Sequence, residues 1–227
     1  MVADRWHPFC SFARLCGRFA TISRDRFAQP ELLRVLRYFA GHWTNLVAAG
    51  QLVAVCGVLL GSLTYQFVLG ELPCPLCVIQ RMAFLLACVG PIGILLRAAE
   101  GRSDGGFLAR GFGMTILASL VGAAASIRQI LLHIVPPDPG YGPPVLGLHL
   151  YSWALVVFGC LIASSAIGLI ALQDYPDAPP RVPAYLLCGL VVAIGITIAL
   201  ATFFMQGFNP LLPPDPARYE LLHTFER

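Results

Sequence analysis

Two cysteines separated by two residues, with an arginine one helical turn further on, form the part of this sequence best suited to chemistry. They are Cys74, Cys77 and Arg81, in the stretch Leu72-Pro-Cys-Pro-Leu-Cys-Val-Ile-Gln-Arg81. A Cys-x-x-Cys pair brings two sulfur atoms close enough for a reversible disulfide, and its reactivity depends on how well the thiolate is stabilised. The stretch therefore predicts a redox-active pair.

The residues around the pair predict that a helix begins there. Pro73 and Pro75 are tolerated at a helix entry but not deep inside a helix, so Cys77 should lie beside a helix N-terminus, whose partial positive charge favours a thiolate. Arg81 follows Cys77 by four residues and projects from the same helix face. Because arginine stays protonated, we expect Arg81 to tune the pair and to hold an anionic partner such as a reduced quinone oxygen.

Other interpretations of the pair remain open at the level of residues alone. Cys-x-x-Cys also occurs in metal sites and as plain packing. Structural zinc usually needs four ligands, and the histidines that could join the pair, His133 and His149, are far away in sequence. Binding or transfer of a soft metal such as Cu(I) favours further Met or Cys ligands, and Met82 is the methionine near the pair. Redox chemistry, soft-metal binding and an inert pair are therefore all retained.

The composition indicates a membrane protein. Of the 227 residues, 57% are hydrophobic and 12% are charged, whereas soluble domains have about twice that charged share. A net charge of +3, without basic clusters, does not suggest a nucleic-acid surface. A helix needs about 20 apolar residues to cross a membrane. Five stretches meet this length, at about 44–69, 78–97, 110–132, 150–173 and 184–207.

The distribution of arginine predicts the orientation of these spans. Residues 1–43 carry seven arginines against three acidic residues, which places the N-terminus in the cytoplasm by the positive-inside rule. No basic residue occurs between Arg37 and Arg81, so the connection that carries the Cys-x-x-Cys pair should be on the outer side. A second basic connection, from Arg97 to Arg110, agrees with this orientation.

The other cysteines are interpreted as structural. Cys56, Cys88, Cys160 and Cys188 occur singly inside apolar spans, where a thiol behaves as a small hydrophobic group. Cys10 and Cys16 are six residues apart in the segment expected to be cytoplasmic and reducing, which is weak evidence for a second pair.

The motif and its position resemble the bacterial disulfide bond formation protein B (DsbB) family. The resemblance covers roughly residues 44–173 and is most specific at Cys74-x-x-Cys77-x-x-x-Arg81. Gly140-Tyr-Gly142 and Leu148-His-Leu-Tyr-Ser-Trp153 are similar to a block that recurs in some branches of that family. The resemblance implies an all-α membrane protein with a four-helix transmembrane bundle over 44–173. In this chain a basic segment (1–43), expected to be cytoplasmic, precedes the bundle, and a fifth C-terminal span with an outer tail (174–227) follows it.

The resemblance also implies a function. It implies an inner-membrane thiol:disulfide oxidoreductase that oxidises a periplasmic thioredoxin-fold, DsbA-like partner and passes two electrons to a membrane quinone, ubiquinone or menaquinone. Cys74 and Cys77 would be the catalytic pair. The residues expected to bind the quinone are Arg81, His149 and Gln80. Tyr65, Arg128 and His133 also fall near the outer surface and are further candidates for that site.

Two features depart from the family pattern. Familiar members carry a second cysteine pair in the outer loop between the third and fourth spans, and residues 132–149 of this chain contain no cysteine. We therefore expect the partner thiolate to attack Cys74 directly, which leaves Cys77 beside the quinone. The fifth span and the tail after it also exceed a four-span core, and the sequence assigns them no role.

Overall fold

The structure is a computed structural model, and it describes residues 31–221 with gaps at 103, 136, 138–139, 171–180, 208–215 and 217. Side chains are described from Trp43 onward. Cys10 and Cys16 lie outside the described residues. Residues 40–227 form one compact unit, and this unit contains every contact discussed below.

Five long helices make up the described chain, as the sequence predicted for an all-α membrane protein. Each of them contains a stretch long and apolar enough to cross a membrane. The first of these stretches, Trp43–Val68, belongs to a helix that begins earlier, at Glu31. The helices are α1 (Glu31–Val68), α2 (Pro75–Ala99), α3 (Gly105–Leu132), α4 (Leu150–Ile170) and α5 (Arg181–Gln206).

Helix α2 is the central element of the bundle. It packs against α3 and α5, touches α4, and is joined to α1 by the hydrogen bonds of Arg81. Of the apolar stretch of α2, 56% of the residues are buried, the largest share among the five helices. The helix that starts at the cysteine pair is therefore in contact with all four other helices, and these contacts position its first turn.

Apolar side chains divide between the core and the outer surface of the bundle. Phe84 of α2 stacks on Phe158 of α4, with the ring centroids 3.9 Å apart, and both rings are buried. Cys56, Cys88 and Cys188 are also buried in this core, which confirms the interpretation of three of the four isolated cysteines, whereas Cys160 is exposed on α4. Large apolar side chains on the outward faces of the helices are suited to contact with lipid. They include Val53, Leu60, Leu86, Leu117, Val121 and Ile196.

Glycines allow α2 and α3 to approach closely. A Cβ atom built on Gly90 would lie 2.0 Å from the carbonyl oxygen of Gly111, so the two backbones touch at this point. Thr115 of α3 donates a hydrogen bond to the backbone oxygen of Ala87 beside this contact. Such small-residue contacts are a common way to pack membrane helices, because lipid offers no hydrophobic driving force between them.

Polar contacts also tie the helices together toward the end of the bundle opposite the cysteine pair. Gln51 of α1 donates through Nε2 to the hydroxyls of Ser164 and Ser165 on α4, at 2.9 Å each. Arg181 at the start of α5 donates to the backbone oxygen of Ala99 at the end of α2. We call the end where α1 finishes and α2 begins the cysteine end of the bundle.

The contact between Gly90 and Gly111 predicts a packing defect when a methyl group is added. Gly90→Ala should lower the thermal stability of the purified protein in detergent, because the methyl group meets backbone rather than a movable side chain, and overpacking of this kind costs about 1 to 3 kcal/mol. Gly113→Ala is the matched control, since it lies on α3 with no atom within 4 Å of the added Cβ. Equal melting temperatures for the two variants would contradict the close approach.

Candidate redox site

The cysteine pair lies at the start of α2, as its prolines predicted. Cys74 is the N-cap residue, with an extended backbone (φ −67°, ψ 165°), and Pro75 begins the helix. The Cys74 sulfur accepts a hydrogen bond of 3.2 Å from the backbone N–H of Cys77. It thus fills the role that a Ser or Asp oxygen has at most helix starts, and this contact fixes the orientation of the two cysteines.

The two sulfur atoms lie close enough to form a disulfide after a small movement. They are 2.8 Å apart. Cys74 is 7% exposed, and Cys77 is partly buried. The hydrogen bond with the Cys77 side chain, followed by burial, raises the pKa of Cys74 above the ordinary value of a thiol. In the reduced pair, this hydrogen bond therefore favours the protonated form of Cys74.

A glutamine from α3 contacts both sulfur atoms. Gln129 donates through Nε2 to Cys74 and to Cys77, at 3.4 Å each. Its Oε1 accepts a hydrogen bond of 2.9 Å from Gln80, and this contact leaves the amide nitrogen facing the sulfurs. These four residues, Cys74, Cys77, Gln80 and Gln129, are called the thiol cluster. Donors on both sulfurs are suited to stabilise negative charge on the reduced pair.

A second group of polar contacts surrounds Arg81. Its guanidinium donates from Nη1 to Oε1 of Gln66, at 2.6 Å, and from Nη2 to the backbone oxygen of Ser62, at 3.0 Å. Both acceptors belong to α1. Arg81 is only 7% exposed and Gln66 2%. Ser62, Gln66 and Arg81 are called the guanidinium cluster. A cation at this depth needs such acceptors, because burial removes the water that would otherwise solvate it.

Between the two clusters lies a cavity of about 270 Å³. Its lining comes from α1, α2, the start of α4 and the loops that join them, and it is mostly apolar. Cys77, Gln80 and Arg81 all face it, with the buried ring of Phe84 below them. Its size is near the lower end for small-molecule pockets, which typically have about 300 to 1,000 Å³. Apolar walls with a few polar groups on one side suit a flat, apolar ring that carries polar oxygens.

The loop between α3 and α4 closes over this end of the bundle. The Tyr141 hydroxyl donates a hydrogen bond to the backbone oxygen of Leu72, two residues before the pair. Trp153 donates through Nε1 to the backbone oxygen of Val145, at 2.9 Å. Tyr141 and Val145 also line the cavity. The loop thus forms one wall of the cavity and fixes the chain that leads into Cys74.

Five of the eight residues that the sequence nominated come together here, and one of them, Tyr65, lines the cavity from α1. Cys74, Cys77, Gln80 and Arg81 lie within about two helical turns at the start of α2, and all of them but Cys74 line the cavity. His149 lies apart from it: its ring stacks on Tyr151, with centroids 5.2 Å apart, and packs against Gly140, while Leu150 and Tyr151 are the neighbours that reach the cavity wall. Its quinone-binding role stays a prediction.

Sequence reasoning missed Gln66 and Gln129 as site residues. Each is a buried amide inside an apolar helix, Gln66 at 2% and Gln129 at 1% exposure. Polar side chains within a membrane span are costly and therefore worth noting, but this signal does not separate a site residue from a structural one such as Gln51. Their partners could not be inferred, because Gln129 is 52 residues from Cys77 and Gln66 is 15 residues from Arg81.

Comparison with known proteins identifies the family. The family model for disulfide bond formation protein DsbB matches residues 44–168, more than half of the chain. The chain belongs to the DsbB family. Membership, together with the five apolar helices, indicates a multi-pass inner-membrane protein of the disulfide bond formation family. No solved structure matches the chain.

Several DsbB relatives share moderate identity with the chain. Disulfide bond formation protein B of Chromohalobacter salexigens is 41% identical over 39% of this chain and 52% of its own length. Disulfide bond formation protein B 1 of Pseudomonas entomophila is 33% identical over 46% of this chain and 77% of its own. Disulfide bond formation protein B 2 of Burkholderia lata is 34% identical over 54% of this chain and 84% of its own. The chain thus spans about half the length of the first of these relatives and most of the other two.

The described residues do not extend the cysteine pair into a metal site. Among them, no group of three or more His, Cys, Asp or Glu side chains is placed to hold a metal ion. The polar groups that contact the sulfurs are the amide of Gln129 and the backbone N–H of Cys77. The observed surroundings of the pair therefore give no specific support to the soft-metal alternative.

The thiol cluster predicts that Gln129 matters for the chemistry of this DsbB protein. Gln129→Ala removes the donor to both sulfurs and the acceptor for Gln80, so oxidation of the reduced pair should slow by about tenfold, as expected for loss of one to two hydrogen bonds to a charged group. The rate is measured by trapping free thiols at set times after an oxidant is added.

Gln51→Ala is the matched control for Gln129→Ala. Gln51 is also a buried glutamine that bridges two helices, but its partners are Ser164 and Ser165. The Gln51→Ala variant should have a lower thermal stability, but its cysteine pair should be oxidised at the wild-type rate. A Gln129→Ala variant that is oxidised as fast as the Gln51→Ala variant would show that Gln129 only packs.

Proposed function

We propose that this DsbB protein is a quinone-dependent thiol:disulfide oxidoreductase of the inner membrane. It oxidises a periplasmic thioredoxin-fold, DsbA-like partner and passes the two electrons to ubiquinone or menaquinone. The observation that carries the proposal is that Cys77, Gln80 and Arg81 face one apolar cavity beside the disulfide-forming pair. A thiol and a fixed cation thus share the space that an electron acceptor would occupy.

The residues of the cavity fit a quinone ring. The apolar walls, which include Val58, Leu59 and Phe84, suit the faces of the ring. Arg81 and Gln80 carry N–H donors for its oxygens. A bound quinone would supply an acceptor of two electrons and two protons. The protein contributes the binding surface, the orientation of the Cys77 sulfur toward the cavity, and the exclusion of water by the loop between α3 and α4.

The thiol half of the reaction is an exchange between two cysteine pairs. A partner thiolate attacks one sulfur of the Cys74–Cys77 disulfide and forms a mixed disulfide, and the second partner thiol then displaces it. The partner leaves as a disulfide, and Cys74 and Cys77 are left reduced with two electrons gained. Attack on Cys74 releases Cys77 as the leaving sulfur, and the donor of Gln129 and the start of α2 lie beside it to stabilise a thiolate.

Direct attack on Cys74 requires movement at the cysteine end. Cys74 is 7% exposed and does not face the cavity. The segment before it is held by the contact between Tyr141 and Leu72. We therefore assign to the partner a second task, which is to displace this loop contact when it docks. Cys77 would stay on the cavity side during the exchange.

The orientation in the membrane rests on charge. Residues 1–43 and the connection from Arg97 to Arg110 carry the arginine excess, while the connection from Val68 to Cys74 carries none. By the positive-inside rule the cysteine end then faces the periplasm and the N-terminus the cytoplasm. The cysteine pair is thereby assigned to an oxidising compartment, where disulfides persist.

The decisive experiment is quinone reduction by the purified protein with a reduced thioredoxin-fold dithiol protein as donor. The wild-type protein should reduce a short-chain ubiquinone or menaquinone, followed by the absorbance change of the quinone. Cys77→Ser should abolish turnover, because the pair can then form no disulfide. Cys160→Ser is the matched control, since Cys160 is an exposed cysteine of α4 outside the site, and it should retain full activity.

Three outcomes would overturn the proposal. They are a wild-type protein that leaves the quinone oxidised, a Cys77→Ser variant that still turns over, and a partner that is trapped through Cys160 instead of Cys74. The first outcome refutes quinone coupling. The second refutes the assigned pair, and the third refutes direct attack on Cys74.

Arg81 should matter more to the quinone half of the reaction than to the thiol half. Arg81→Ala removes the cation and its N–H donors from the cavity, so turnover at limiting quinone should fall by about ten- to a hundredfold, the range expected for lost hydrogen bonds to a charged group. Reduction of the Cys74–Cys77 disulfide by the dithiol donor should change much less. The two half reactions are measured separately by stopped-flow mixing.

Arg97→Ala provides the comparison for Arg81→Ala. Arg97 is another arginine of α2, but it lies at the opposite end of the helix, where it pairs with Asp104. It should leave both half reactions unchanged. Equal quinone dependence of the Arg81→Ala and Arg97→Ala variants would exclude Arg81 from the acceptor site.

A further inference from the structure

The segment after α5 returns to the cysteine end of the bundle. Gly207 ends α5 with a positive φ of 62° and donates to the backbone oxygen of Phe203. The chain later passes back over this point, because the backbone nitrogen of Leu221 lies 3.5 Å from the position of a Cβ on Gly207. Leu221 is 6% exposed. The described part of the tail is therefore packed onto the bundle.

One side chain of this segment reaches the guanidinium cluster. The Tyr219 hydroxyl accepts a hydrogen bond of 3.1 Å from Nε2 of Gln66. The other end of the same amide, Oε1, accepts from Arg81 at 2.6 Å. Tyr219 and Gln66 are 153 residues apart. A residue beyond the region that matches the DsbB family model, which ends at residue 168, thus contacts the site through one intermediate side chain.

The chemistry of the three groups fixes the orientation of the amide. A guanidinium offers only donors, so Gln66 must turn its carbonyl oxygen toward Arg81. Its NH₂ group then faces the opposite way, at a depth where an unpaired donor costs about 1 to 3 kcal/mol. The phenol oxygen of Tyr219 is the acceptor at that position. Without it, the amide would lose the contact that holds its carbonyl on the guanidinium.

We propose that Tyr219 is a positioning residue for Arg81, acting through Gln66, so that the segment after α5 completes the acceptor site. This inference rests on the proposed function, in which Arg81 binds the quinone. The hydrogen bond of Tyr219 is with Gln66 of the guanidinium cluster. Tyr219 should therefore affect the quinone half of the reaction and leave the thiol half alone.

The test is Tyr219→Phe in the full-length protein, which removes one oxygen atom and keeps the ring that packs. The concentration of short-chain ubiquinone needed for half-maximal turnover should rise by about two- to tenfold, the range expected for one neutral hydrogen bond. Reduction of the Cys74–Cys77 disulfide by dithiothreitol should stay within about twofold of wild type. Tyr185→Phe is the matched control, since Tyr185 is half exposed on α5, and it should change neither value.

A double-mutant cycle separates positioning from simple packing. If Tyr219 acts through Gln66, adding Tyr219→Phe to Gln66→Ala should give no further rise in the half-saturating quinone concentration. A structural role of the tail would instead give additive effects, or slow both half reactions together. Either result would overturn the inference.

The failure of this inference is distinct from failure of the proposed function. A wild-type protein that reduces no quinone refutes the proposed function and removes the basis of the inference with it. Wild-type turnover together with an unaltered quinone dependence in the Tyr219→Phe variant refutes only the role of Tyr219.

Discussion

The site of this protein depends on how a guanidinium is held among apolar helices. Arg81 is on α2, in a span suited to cross the membrane, yet it is almost fully buried. Removing such a group from water costs several kcal/mol unless its N–H groups find acceptors. The acceptors come from α1, as the amide oxygen of Gln66 and the backbone oxygen of Ser62. The two hydrogen bonds that Arg81 donates to α1 therefore determine how α1 and α2 pack at the cysteine end.

The polar groups around the cavity fall into two sets that use different helices. The thiol cluster joins the start of α2 to α3 through Gln129, and the guanidinium cluster joins α2 to α1. Cys77 and Arg81 are only one turn apart on α2, but their hydrogen-bond partners point in different directions. A sulfur and a fixed cation thus face the same apolar space while each has its own hydrogen-bond partners. Neighbouring helices thus supply the amide groups that contact each of these residues.

The sequence predicted the parts of the fold and site that depend on local pattern. Five apolar stretches predicted the five helices, and two prolines predicted the helix start that orients Cys74 and Cys77. The partners of the site escaped prediction because they depend on which helix faces meet in three dimensions. Gln129 reaches the sulfurs across 52 residues of sequence, and no local pattern distinguishes it from Gln51, which contacts two serines elsewhere in the bundle.

The loop between α3 and α4 has a consequence for how electrons can be stored. It is fastened to Leu72 and to Trp153, and residues 132–149 contain no cysteine, so the loop adds no sulfur to the pair that it covers. A chain of this kind holds two reducing equivalents at its cysteine end, where a relay of two pairs would hold four. The electron donor and the electron acceptor must then react in strict alternation, because the single pair has to be oxidised again before it can accept two more electrons. Under the proposed function, such a protein would be a ping-pong catalyst with a single redox pair, and the slower of the two half reactions would limit its rate.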